Sequence, residues 1–370
     1  MDEDILQEED HSDSDFVADR REKLDLCMVD VFHFIKRVHN IPIDAADDVH
    51  WLPETSIQND LYETLKQTFD EQLLMAQDVS TVSFIWFYLC GLNETYLNDF
   101  LQWLWRWVVS PQMGQSTAKK SHGAACYLAG FLSRGHYIST ELSKEWLLKM
   151  LQWASDYVKQ QADQSRQSAI GLFKHGTFYA VCQAIFLVFC FRYKEFMGKD
   201  RHGTNEINQW NLGHIVHSSL CPLRFVAWQV ALCFASISRS LQLVYCAHVL
   251  DTVSKKANDG STDAVDTKNA FEGFFPFDPY RLPRSADNVR SLYRHFSPLV
   301  SDASSLADEM KWNRARVARQ YKTSIGPDED DFLMDVLSTS VGDKDKENYL
   351  TLYAASPGLR QLSDSLQMEM

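Results

Sequence analysis

His214 and His217 stand three residues apart in a stretch with helical periodicity, a spacing that puts both imidazoles on one face as paired metal ligands would be. No Asp or Glu is close enough to complete a ligand set, and only Cys221, seven residues past His214, is within reach. Packing or surface roles therefore fit the pair better than a metal. Cys182 and Cys190, eight residues apart in an apolar run, share a helix face. A free thiol in such a run acts as a small hydrophobe, and burial raises its pKa and blunts its nucleophilicity. The carboxylate pairs Glu94–Asp99 and Asp44–Asp48 lack the apolar pocket that would push their pKa values apart for acid–base work. Phosphate-cradling glycine loops, dinucleotide fingerprints, the nucleophile elbow GxSxG and the zinc motif HExxH are all missing from the sequence. These residues predict no catalytic site, no cofactor and no metal, so the function expected is binding rather than catalysis.

Composition narrows the class. The 370 residues are 45% hydrophobic and 23% charged, with 36 Lys and Arg against 50 Asp and Glu, a formal charge of −14. A sizeable core is possible, whereas an acidic body is repelled at long range by nucleic acid and by anionic membrane. The eight cysteines form no CxxC pair, and the acidic N-terminus has no signal-peptide pattern, so reduced thiols in cytosol or nucleus are expected. The sequon Asn93-Glu94-Thr95 is then expected to be inert. The longest apolar stretch, Phe178 to Phe191, is interrupted by Gln183 and falls short of the ~18 residues a membrane span needs. It reads as a buried core helix.

Those side chains must be carried by helices. Residues 1–22 hold ten acidic groups, with Ser12 and Ser14 among them, and predict a solvated, disordered tail. From residue 23 to 256 one apolar helical pattern follows another. Leu24, Met28, Phe32, Ile35 and Val38 open the series, and Leu61–Leu73, Val82–Leu89, Tyr96–Trp107, Ala118–Leu132, Leu142–Tyr157 and His175–Phe196 continue it. Single helices are predicted at Ile207–Ser218, Pro222–Ile237 and Leu241–Val253. Alternating strand patterns are nearly absent, so the fold class is all-α. Pairs of helices start near residues 57, 94 and 139, intervals close to the ~40–47-residue period of HEAT or armadillo hairpins. A HEAT-like superhelix, an α-solenoid, is the expected architecture. It is followed by a flexible loop at 257–270, an irregular extension at 271–322 and an acidic, largely disordered tail at 323–370.

Trp103, Trp105 and Trp107 refine this picture. Alternate residues on a helix turn by ~200°, so Trp103 and Trp107 share a face while Trp105 lies nearly opposite. Rings that each bury ~150–250 Å² are seldom left wet. The helix that carries them is expected to be packed on both sides, as inner helices of a solenoid are.

Phe274-Phe275-Pro276-Phe277-Asp278-Pro279 is a stiff extended strip, because each proline fixes its own φ and restricts the residue before it. It would serve either as a rigid clamp on the last helices of the array or, through Phe274, Phe275, Phe277 and Asp278, as a contact for a partner.

This strip resembles one found in the RNA polymerase I-specific transcription initiation factor family. So do Phe84-Ile85-Trp86-Phe87-Tyr88-Leu89-Cys90, the run Ala124 to Arg134, His175 to Phe186, Cys221-Pro222-Leu223 and Asp328-Glu329-Asp330-Asp331-Phe332-Leu333, in the same order. The likeness is to the C-terminal half of that family and covers about two thirds of the chain. It implies a HEAT-repeat adaptor without catalysis or cofactor, nuclear and nucleolar. Such an adaptor bridges RNA polymerase I subunits to the promoter-bound, TBP-containing selectivity factor and is switched by phosphorylation. The family's N-terminal repeats, with their serine-rich polymerase-facing patch, have no counterpart in this sequence.

By the same resemblance, residues 205–224 match a segment tied to polymerase contact. Their apolar residues Ile207, Trp210, Leu212, Ile215, Val216 and Leu220 would pack, leaving Asn208, Asn211, His214 and Ser218 as the partner-binding side. Ser12 and Ser14, set among acids, are candidate phosphorylation sites, where each phosphate adds about −1.5 to −2 charges. The basic stretch Lys311–Arg319 is short and flanked by acids, so at most weak, salt-sensitive DNA contact is expected. A generic helical-repeat scaffold or trafficking adaptor is the alternative reading.

Overall fold

Apolar residues at three- and four-residue intervals become helices almost throughout, and each helix buries the stripe its sequence marks. The computed structural model describes residues 2–43, 58–76, 79, 81–110, 115–164, 172–198, 201–246, 275–277 and 280–296. Its helices are α1 (Asp2–Val38), α2 (Gln58–Thr68, running into a π-helical turn Phe69–Leu73), α3 (Phe84–Leu92), α4 (Glu94–Val109), α5 (Gln115–Arg134) and α6 (Thr140–Gln164). There follow α7 (Leu172–Met197), α8 (Arg201–Gln209), α9 (Leu212–Val216), a short 3-10 turn Pro222–Arg224, α10 (Trp228–Ser240) and α11 (Asp287–Arg290). No strand occurs among the described residues; one isolated antiparallel bridge joins Gly135 to Tyr293. The fold is an all-α helical repeat.

Helices α4, α5, α7 and α10 pack successively against one another, and α6 closes on α7. Helix α7 is the axis of the stack. It is long and apolar enough to cross a bilayer, yet 89% of its apolar window is buried inside the protein. Phe178, Phe186 and Phe189 are wholly enclosed. Helix α4 is covered on both sides, as its tryptophans predict. Trp105 is buried edge-on against Trp146 and Trp153 of α6, while Trp103 packs on Phe69 and Phe100.

Ends and caps follow local chemistry. Asn93 of the sequon is the N-cap of α4, its Oδ1 accepting from Thr95 N at 2.8 Å. Asn40 and Gly198 adopt left-handed φ angles of 56° and 62° just beyond α1 and α7, the conformation that ends a helix most readily. Arg192, 1% exposed, reaches from α7 to the end of α5 and donates to the carbonyls of Leu132 (3.2 Å) and Ile138 (2.9 Å). It also pairs with Glu195 at 2.7 Å.

Four helix boundaries differ from the sequence expectation. The first helix does not begin at Leu24 but runs through the acidic stretch from Asp2. Acids at a helix N-terminus interact favourably with the positive end of its dipole, and Lys23 pairs with Asp19 one turn back. The helix expected over Ile207–Ser218 is broken by Asn211 at φ 54°, and the one over Pro222–Ile237 is divided into the 3-10 turn and α10. No helix continues from Leu241 to Cys246, because Gln242 takes φ 55° and Leu243 N closes on Ser238 O at 2.9 Å, a helix-ending turn.

Candidate functional site

The aromatic–proline strip folds back on the early helices, not the last ones. Phe277 is 2% exposed and sits among Phe84 and Phe87 of α3 and Phe131 of α5, with ring centroids 5.3, 4.7 and 4.8 Å away. Gly130 of α5 makes room for it: a Cβ there would lie 2.6 Å from Phe277 Cδ2. The strip's carbonyls, which have no helix partners, are met by side chains. Ser83 Oγ donates to Pro276 O at 2.6 Å and Tyr293 OH to Phe277 O at 3.0 Å. With its ring enclosed, Phe277 has no side-chain surface to offer a partner. Phe275 remains half-buried at the edge, and Phe274 and Asp278 lie outside the described residues.

Two polar tethers extend this closure into a strap over residues 275–296. Asp25 of α1, 2% exposed, accepts from the backbone N–H groups of Arg284 (2.8 Å) and Ser285 (2.9 Å) and from the Ser285 hydroxyl. Burial alone would raise the Asp25 carboxyl; these hydrogen bonds and the Arg284 charge outweigh it and hold the group below its ordinary range. Arg284 also pairs with Glu22 at 2.7 Å. At the other end Arg294 pairs with Glu195, which further accepts from Thr140 at 2.9 Å. Desolvation would raise Glu195 too, but the hydrogen bond and charge of Arg192 and the charge of Arg294 bring it down. Sequence reasoning missed both tethers, because their partners lie 260 and 99 positions apart.

The polar side expected over residues 205–224 is divided. Asn208 and Asn211 are exposed, whereas His214 and Ser218 are half-buried. His214 Nε2 and Ser218 Oγ point inward without a hydrogen-bond partner. The left-handed turn at Asn211 breaks the single stripe, so α8 and α9 present different faces. Trp210 lies between them against Phe189 and Phe196, and Lys144 of α6 pairs with Glu206 of α8. Ser12 and Ser14 fall within the helical backbone of α1, but their side chains lie outside the described residues, as do 257–270, Lys311–Arg319 and 323–370.

The two thiols singled out for nucleophilic chemistry serve packing. Cys182 and Cys190 are buried, and desolvation raises both thiols well above their ordinary value. Asp99 of the carboxylate pair accepts from Tyr62 at 2.6 Å and Lys66 at 2.8 Å. The other pair, Asp44–Asp48, lies outside the described residues. His217 is exposed and His214 half-buried, and no group of three or more metal-ligating side chains gathers among the described residues.

Comparison with known proteins gives this scaffold its place. The chain is 35% identical to the RNA polymerase I-specific transcription initiation factor tif-1A of Caenorhabditis elegans, over 91% of this chain and 54% of the relative. It is 30% identical to the mouse RNA polymerase I-specific transcription initiation factor RRN3, over 84% of this chain and 46% of the relative. It thus spans about half the length of the curated relatives it matches. A crystal structure of RNA polymerase I transcription initiation factor Rrn3 superposes with a TM-score of 0.62 at 20% identity, covering 79% of this chain and 58% of that one; at that identity the likeness shows the fold. The model of the family described as RNA polymerase I specific transcription initiation factor RRN3 matches residues 1–301. With the stacked helices, the strap and the ordered aromatic runs all falling inside that match, the chain belongs to the RNA polymerase I-specific transcription initiation factor RRN3 family.

Proposed function

We propose that the chain is a non-enzymatic adaptor in initiation by RNA polymerase I, joining the polymerase to the promoter-bound, TBP-containing selectivity factor at ribosomal RNA genes in the nucleus and nucleolus. The observation that carries the reading is the family match across residues 1–301. Two further features support it. Among the described residues Cys182 and Cys190 are buried in packing, and the exposed Asn208 precedes a left-handed turn at the exposed Asn211, in the segment expected to meet the polymerase. His214 and Ser218, half-buried with their polar atoms facing inward, lie off that exposed surface. Phe274, Phe275 and Asp278 would add to partner contact, and Lys311–Arg319 adds at most weak, salt-sensitive DNA binding. Phosphorylation of Ser12 and Ser14 would strengthen attraction to a basic partner surface.

Affinity capture of the tagged chain from nuclear extract, with mass spectrometry of what is retained, tests this. RNA polymerase I or selectivity-factor subunits are expected. Recovery of coat or karyopherin components instead would favour a trafficking scaffold. Replacing Ser12 and Ser14 with Ala should lower partner affinity most at low salt; an unchanged affinity at every ionic strength would remove the phosphorylation role.

A further inference from the structure

A groove of about 310 Å³ opens between α2 and α4, lined by Glu63, Thr64, Lys66, Gln67, Asp70 and Trp103. Glu63, Gln67 and Asp70 recur at helical spacing along one side, and the half-buried Trp103 forms the other, backed by Phe100 at 5.4 Å and Phe69 at 5.9 Å. The aromatic wall is therefore rigid while the acidic wall is wet.

The charges around it do not balance. Lys66 is held by Asp99 at 2.8 Å and Glu63 at 3.0 Å, and Lys120 by Asp70 at 2.8 Å. Two lysines thus bond three carboxylates, Arg106 adds a third positive charge near Asp99, and Glu71, which accepts from Gln67 at 2.8 Å, is a fourth acid. Ring faces on this side of the molecule take cations: Lys66 Nζ lies 4.9 Å over Tyr62 and Lys120 Nζ 4.5 Å over Trp107. Trp103, one helical turn before Trp107, carries no cation among the described residues, and its ring lines the groove. An acidic wall opposite a half-buried indole, backed on one side by Phe100, suits a planar cation, which stacks on the ring while donating to the carboxylates. The positive Lys66 inside the groove is already neutralised by its two acids.

We propose that this groove is a docking site for an arginine side chain carried by a basic segment of a partner protein, with the guanidinium stacked on Trp103 and bonded to Glu63. The inference rests on the groove alone and stands or falls independently of the polymerase reading.

Fluorescence anisotropy with a labelled peptide of alternating arginine and serine tests it on the full chain. Saturable binding that weakens with salt is expected. Glu63→Gln and Trp103→Phe should each weaken it by about two- to fivefold, the scale of an exposed ion pair or cation–π contact. Glu141→Gln, an exposed acid at the start of α6, should leave it unchanged. A lysine–serine peptide should bind more weakly than the arginine one. Equal loss with Glu141→Gln, equal binding of the lysine peptide, or no saturable binding would each overturn the proposal. Should Trp103→Phe melt early, Glu63→Gln, whose side chain is 65% exposed, still decides.

Discussion

Phe277 concentrates much of the closure energy in one ring. It sits at 2% exposure against three phenylalanines and over a glycine that leaves it room. Phe277→Ala should destabilise the chain by about 3–5 kcal/mol, the usual cost of emptying a buried aromatic site, read from urea unfolding followed by circular dichroism. A second residue, His122 of α5, contributes to the acid sensitivity. Burial brings the His122 imidazole down to about 4, so the folded state keeps it neutral while the unfolded chain takes up a proton below about 6.5. Its contribution is complete above that ordinary value and drains away as pH falls towards 4, a loss of about 2–3 kcal/mol. His122→Gln should flatten the stability profile between those limits. Asp25 and Glu195, held low, lose their share only further into acid. At this scale the sequence was half legible. Apolar residues at helical spacing named the core, including Trp105, but nothing local marked Asp25 as the acceptor for a turn 260 positions away.

Among the elements, the strap over 275–296 is where local rules run out. Its stiffness follows from Pro276, but its seat depends on Gly130 and Ser83, which no periodicity singles out. The tether to α1 gives a sharp expectation. Asp25→Ala leaves the N–H groups of Arg284 and Ser285 without their acceptor, at a cost of about 1–3 kcal/mol. Hydrogen exchange at residues 284–289 should quicken far more than in α7; uniform exchange across both would mean that α1 does not hold the strap. The α8–α9 break shows the converse. Residues 207–218 read as one amphipathic stripe, yet one left-handed residue, Asn211, divides it. A helical wheel assumes continuity and cannot see such a turn; it puts His214 and Ser218 on the wet side, whereas their polar atoms face inward.

For the molecule as a whole, the class was plain from the start. Repeating apolar intervals, few prolines and scattered thiols dictate stacked helices, and the stack runs through α4, α5, α7 and α10. What the stack does depends on surfaces, which local pattern constrains least. The central proposal is that the chain works by holding RNA polymerase I through the α8–α9 turn. Purified polymerase I, titrated over the immobilised chain and over a variant carrying Asn208→Ala and Asn211→Gly, tests it most directly, since glycine accepts the left-handed φ at 211 and spares the fold. The account predicts saturable binding to the parent chain and at least about tenfold weaker binding to the variant at an unchanged melting temperature, the scale of losing contacts near the centre of an interface. Equal binding by the two, or no retention of polymerase by either, would contradict it.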